Sequence, residues 1–302
     1  MTTNEGIVSG GDVDICYDEF GDPNNPAVLL IMGLGAQMVF WRTEFCEKIA
    51  AEGYRVVRFD NRDSGLSGKC DGARVGGPPL PVKMLQFFFG LEAKGAPYTL
   101  DDLASDAIRV LDHLGIERAH VVGASMGGMT AQIVAADYPD RTLSATIIMS
   151  SNNRALLPPP GPRQLLALIS PPPKGSGRAE IIEHSAKLAR TIGSPVFPPT
   201  AEQALRNATE YFDRCYYPIG IARQFAAILA AGSLATRDKR ISARTLVLHG
   251  THDKLMRPSG ARAVARTVPN GRLVMVDGMA HDLPQPLWDQ IVGELTRHFA
   301  DV

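Results

Sequence analysis

The pentapeptide Gly123-Ala124-Ser125-Met126-Gly127, with Gly128 directly after it, carries the strongest chemical signal in the chain. The strand-like run His120–Val122 leads into it and the helical run Met129–Tyr138 leads out. A serine between a strand and a helix, with Gly123 and Gly127 two residues to either side, predicts a nucleophile elbow. The turn is so tight that side chains at those two positions would strike the neighbouring strand or helix. The serine itself takes a strained backbone conformation that lifts its hydroxyl off the sheet. Such a hydroxyl is a weak nucleophile and needs a base within hydrogen-bond reach.

Seven histidines compete for that role. His113 and His298 fall in helical patterns, as solvated or half-buried face residues. His120 and His249 fall in strands, as core residues with satisfied nitrogens. His184 lies in a helical region and His252 just beyond a strand. His281 differs, because it follows the strand Arg272–Val276 in a short loop, Gly278-Met279-Ala280-His281-Asp282-Leu283-Pro284, that opens a terminal helix. The base must be held in one tautomer by an acid. Asp253 ends the strand Thr245–His249 on the same rim, just ahead of a helix starting at Pro258; its competing reading is a helix N-cap. The segment Ser150-Ser151-Asn152-Asn153 offers no carboxylate, and Asp282 cannot easily fold back onto the ring of its neighbour.

Acyl transfer also needs two N–H donors for the developing oxyanion. Met126, at the N-terminus of the helix after the nucleophile, supplies one. Leu34, in the glycine-bearing loop Met32-Gly33-Leu34-Gly35 after the strand Ala27–Met32, supplies the other. Aromatics at Tyr211, Phe212, Tyr216, Tyr217 and Phe225 could wall an apolar pocket, or merely pack helices together. Phe87 and Phe88, within Met84–Leu91, could form one side of its entrance, or a subunit contact. Three adjacent phenylalanines, Phe87 to Phe89, cannot share one helix face, so at least one should be exposed.

The elements that must hold these residues follow from hydrophobic period. Ala27–Met32, Tyr54–Phe59, His120–Val122, Ala145–Met149 and Thr245–His249 are short apolar runs suited to strands buried on both faces. Residues 12–20 alternate as an antiparallel strand. Trp41–Glu52 and Asp101–Leu114 space apolar residues at helical intervals, with Asp101 or Asp102 as the expected cap of the second. Alternating strand and helix predicts an α/β fold with a mostly parallel central sheet flanked by helices. Residues 152–240 hold helical patterns and no convincing strand. They read as a helical cap inserted into a catalytic core formed by 1–151 and 241–302. Residues 68–99 read as a long excursion from the sheet edge.

Composition sets limits. A formal net charge of −1 gives no field to draw the protein onto nucleic acid or anionic lipid, so no nucleic-acid partner is expected. Cys16, Cys46, Cys70 and Cys215 are scattered, which predicts free thiols and no metal site. No run reaches the ~18 apolar residues of a membrane span. The opening MTTNEGIVSGGDVD has no basic or apolar leader pattern, so a cytoplasmic location is expected. No cofactor is expected, a small-molecule ester is the expected partner, and the state is monomer or homodimer.

The order Ser–Asp–His, the GASMGG elbow, the GTHDKLMRP acid loop and the GMAHDLP histidine loop resemble the α/β-hydrolase family. The likeness covers nearly the whole chain outside residues 70–97 and much of 152–240. Asp60 to Ser67, DNRDSGLS, looks like the family's D-x-R-G-x-G-x-S turn with Asp63 at the usual glycine. IMGLG and DNRDSGLS are most similar to the aclacinomycin methylesterase and carboxylesterase branch. Met32 stands where the family usually has histidine, but a backbone amide at Leu34 does not depend on that side chain. The resemblance implies a carboxylic-ester hydrolase. Its alternatives are C–C bond hydrolysis or cofactor-free perhydrolysis by the same triad, and, more remotely, a non-catalytic binding protein. Ser125 argues against the dehalogenase and epoxide-hydrolase branches, which use aspartate.

Overall fold

Runs of Val, Leu and Ile too short for helices lie side by side as the strands of one sheet. The computed structural model describes residues 5–302. Residues 1–4, part of the segment read above for a leader, lie outside the described residues. The strands are β1 (Gly6–Val8), β2 (Ile15–Phe20), β3 (Ala27–Ile31), β4 (Arg55–Phe59), β5 (Ala119–Ala124), β6 (Thr142–Ile148), β7 (Arg244–Gly250) and β8 (Gly271–Val276). Their order is β1-β2-β4-β3-β5-β6-β7-β8. The pairings β1–β2 and β2–β4 are antiparallel and all others parallel. Every residue of β3 and β5 is buried, as expected where helices cover both faces.

The helices are α1 (Thr43–Ala51), α2 (Leu80–Phe88), α3 (Leu100–His113), α4 (Met126–Asp137), α5 (Pro162–Ile169), α6 (Arg178–Ile192), α7 (Ala201–Arg214), α8 (Pro218–Ala230), α9 (Ala235–Asp238), α10 (Pro258–Thr267) and α11 (Trp288–Ala300). Strand period divides the core in two. Leu29, Val121, Ile147 and Val247 pack on α3, α4 and α10, while Leu30, Val122, Ile148 and Leu248 pack on α1 and α11. The cap of α3 is Thr99, two residues ahead of Asp101, the earlier of the two expected caps. Its hydroxyl accepts from the Asp102 amide and the Asp102 carboxylate accepts from the Thr99 amide. Asp102 thus closes a capping box from the third helical position.

Five helices, α5 to α9, fill the connection between β6 and β7. α6 and α7 enclose a small apolar cluster of their own around Ile182, Ala186, Ala204 and Ala208. Buried ion pairs tie α7 and α8 to the turn after β4: Arg214 to Asp60 at 2.8 Å and Arg223 to Asp63 at 3.0 Å. Asp63 has φ 64°, a conformation that explains the glycine common at this point of the motif. Asp tolerates it, and its carboxylate also accepts from the Cys70 amide and the Tyr98 hydroxyl. The 68–99 excursion, which holds α2, leaves an interior strand rather than the sheet edge, because β4 lies between β2 and β3.

Asp238 is fully buried in α9, with one carboxylate oxygen accepting from Asn152 and the other unpartnered. Burial pushes its carboxyl up to about 7, against the hydrogen bond from Asn152. A raised folded-state value means the stability it contributes is complete below the ordinary carboxylate range and is lost as pH rises through about 7. Asp238→Asn should therefore flatten stability between pH 4 and 8 and raise it at pH 8 by on the order of 2 kcal/mol. Urea unfolding at both pH values checks this; a variant no more stable than the parent at pH 8 would show that burial does not raise the carboxyl above its ordinary range.

Candidate active site

The strand-to-helix turn at Ser125 is held open for chemistry by the backbone around it. Ser125 has φ 56° and ψ −119°, its amide donates to the Ile148 carbonyl at 2.9 Å, and its carbonyl accepts from the Gly128 amide and Ser150 Oγ. A methyl group on Gly123 would sit 2.0 Å from the Gly127 carbonyl oxygen, and one on Gly127 would sit 2.2 Å from that of Ile31. Only glycine fits at either position.

Asp253 and His281 reach the same rim from the ends of β7 and β8. Asp253 is 2% exposed, and its Oδ1 accepts from the amides of Leu255 and Met256 at 2.8 and 2.9 Å. That leaves Oδ2 to accept from His281 Nδ1 at 2.8 Å. The opposite ring nitrogen, Nε2, is then free to accept from Ser125 Oγ, 3.0 Å away. The His281 amide donates to the Ile192 carbonyl at the end of α6, so the 152–240 segment helps fix the ring. Asp282 faces away from it and accepts from the amide and hydroxyl of Ser194.

Leu34 and Met126 line the space above Ser125, and among the described residues neither amide has an acceptor. Gly33 lets the loop come close: a methyl there would lie 2.9 Å from Ser125 Cβ. This arrangement can deprotonate a serine, hold the resulting imidazolium and face two N–H groups toward a negative oxygen. Among the described residues no cluster of three His, Cys, Asp or Glu side chains could hold a metal ion. Among the described residues no helix is long and apolar enough to cross a membrane.

A family model described as the alpha/beta hydrolase fold matches residues 26–284. The chain belongs to the α/β-hydrolase fold family. It is an enzyme of the hydrolase class. It is 27% identical to the rhodomycin D methylesterase DnrP of Streptomyces peucetius, over 97% of each chain. A solved hydrolase of Pseudomonas aeruginosa superposes with a TM-score of 0.72 at 22% identity, covering 98% of each chain. The 2-hydroxy-6-oxo-6-phenylhexa-2,4-dienoate hydrolase of a Rhodococcus strain does so at 0.72 with 20% identity and 99% coverage of each. Those two likenesses concern the fold.

The hydrolase encloses a cavity of about 290 Å³ that opens on Ser125 and His281. Phe87, Phe88 and Phe225 line it, with Met84 of α2 beside them; Phe89 turns outward and is 51% exposed. Tyr211, Phe212, Tyr216 and Tyr217 do not line it, which corrects their assignment to the pocket. Tyr211 packs edge-on against Phe40, Phe212 stacks on Tyr216, and the Tyr217 hydroxyl donates to Asp71 at 2.5 Å. Helix α7 turns its aromatic face to α6 and the core loops, an orientation that helical period alone does not set. In their place the cavity takes Met129, Asn153, Leu165 and Leu168, which carried no sequence signal.

Three other histidines are bonded within the core. His120 hydrogen-bonds with Ser144 Oγ at 2.8 Å, and burial pulls its ring down to about 4. His298 is buried, not half-exposed, and donates to the Ala145 carbonyl. His249 is only half satisfied: Nε2 donates to the Met256 carbonyl at 2.6 Å while Nδ1 has no partner among the described residues. Burial holds the His249 ring below its ordinary range, so it stays neutral 3.7 Å from Asp253 Oδ2 and leaves that oxygen to His281.

Proposed function

We propose that this hydrolase cleaves carboxylic esters through an acyl-enzyme on Ser125. The observation that carries the reading is the unbroken hydrogen-bond chain from Ser125 Oγ through His281 to Asp253, opening on an apolar cavity. His281 Nε2 takes the serine proton as Oγ attacks the ester carbonyl. Negative charge builds on the carbonyl oxygen, where the Leu34 and Met126 amides stabilise it. His281 returns the proton to the departing alcohol, and water repeats the sequence to release the acid. A cavity of about 290 Å³ suits small to medium, apolar esters. Likeness to a methylesterase along the whole chain supports an ester over a C–C bond.

A panel of p-nitrophenyl esters of increasing acyl length, with and without a serine-directed phosphonate, tests the proposal. Turnover is expected to stop with one phosphonate attached to Ser125. Turnover that survives the phosphonate would overturn the acyl-enzyme.

The oxyanion loop has its own support. Gln224 of α8 is fully buried; its Oε1 accepts from the Gly35 amide and its Nε2 donates to the Arg62 carbonyl, both at 2.8 Å. It therefore fixes the peptide next to Leu34. Gln224→Leu keeps the bulk and loses both bonds. We expect kcat to fall by about 10- to 100-fold with KM little changed, since a displaced oxyanion donor weakens transition-state binding alone. Equal losses in kcat and in binding of the ester would assign Gln224 to general packing instead.

A further inference from the structure

The loop after β6 places a buried carboxamide, Asn153, in the cavity wall, and the triad chemistry does not use it. Asn153 is 3% exposed and lines the cavity together with Ser125. Its Nδ2 makes a long contact of 3.6 Å with the Met129 sulfur, and its Oδ1 has no partner among the described residues. Met129 lies in the first turn of α4, four residues beyond Ser125, and lines the same cavity.

The loop that presents it is anchored by hydrogen bonds. The Asn153 amide donates to Ser151 Oγ at 3.0 Å, Asn152 Nδ2 donates to Asp238 at 2.8 Å, and the Asn152 carbonyl accepts from Leu234. Asn153 has φ 52°. That conformation alone would be served as well by glycine, which would remove the carboxamide from the cavity wall.

We infer that Asn153 is a specificity-determining residue, and that the preferred ester carries a hydroxyl on its acyl chain that donates to Asn153 Oδ1. The inference rests on the ester reading above and adds the substrate class. An acyl chain without that hydroxyl would bury Oδ1 unpaired, and a site built around a hydrogen bond rejects the analogue that lacks its partner.

The test compares p-nitrophenyl octanoate with octanoates hydroxylated at C3, C4 or C5. The parent enzyme is expected to prefer one hydroxylated ester by at least tenfold in kcat/KM. Asn153→Gly keeps the backbone conformation and should bring that ratio close to one. Asn153→Asp retains an acceptor oxygen and should keep most of it. A role in packing alone would move both esters together and leave the ratio intact. The matching methyl esters are also measured for binding to Ser125→Ala, where no turnover is needed. There the hydroxylated ester should again bind at least tenfold more tightly, and the Asn153→Gly, Ser125→Ala double variant should not discriminate. A parent with no preference at any position, or a preference that survives Asn153→Gly, overturns the inference. Binding preference without hydrolysis would instead fault the ester reading and leave this one standing.

Discussion

Ser125→Ala is expected to lower ester turnover by about 10⁴-fold or more, to the residue left by binding and oxyanion stabilisation. The loss should come without unfolding, because the serine side chain makes its one hydrogen bond to His281 and the turn is held by backbone contacts. Ser125→Gly separates chemistry from architecture. At φ 56° and ψ −119° a non-glycine residue carries strain of about 1–3 kcal/mol, so the glycine variant should be equally inactive yet more stable than the alanine variant. Steady-state rates and urea unfolding of the three proteins decide it. Activity of Ser125→Ala within tenfold of the parent would remove Ser125 from the chemistry.

For Asp253→Asn the hydrogen-bond geometry dictates the outcome. The Leu255 and Met256 amides demand an oxygen at Oδ1, so the new NH₂ group must face His281. Nδ1 then has to accept, the ring proton moves to Nε2, and Nε2 can no longer accept from Ser125 Oγ. Turnover should fall by about 10³- to 10⁴-fold, as expected for a base locked in the wrong tautomer. Asp282→Asn and Asp277→Asn should be much milder, since Asp282 serves Ser194 and Asp277 accepts from Thr251. If Asp282→Asn proved the more damaging change, the acid would have to be reassigned.

The parts of this site legible in sequence are those set by local backbone chemistry. Gly123 and Gly127 announce a turn that admits no side chain, and the loops holding Asp253 and His281 follow apolar runs whose period places them on one rim. Strand and helix positions were legible for the same reason, to within a few residues; α4 starts at Met126, three residues before its apolar pattern does. What escaped is tertiary. The direction in which α7 turns Tyr211 and Phe212 depends on α6 and the core loops. The bond from Gly35 to Gln224 joins residues 189 apart in the chain. Asn153 looked like a residue lacking a carboxylate, and its place in the cavity wall follows from how Asn152 and Ser151 anchor the loop.

Chain order gives the helical insertion one more meaning. Ser125 precedes α5 to α9 while Asp253 and His281 follow them, yet β6 and β7, which bracket the insertion, are hydrogen-bonded neighbours. The stretch 171–177 between α5 and α6 is largely exposed. If Ser125, His281 and Asp253 act as proposed, a protease that cut there would leave the nucleophile on one polypeptide and its base and acid on the other, and neither half could deprotonate the serine by itself. A nascent chain is in the same position: the serine has no proton acceptor until the last two strands are made and laid against β6. On the proposed mechanism, reactivity at Ser125 is thus postponed by topology until the sheet is complete.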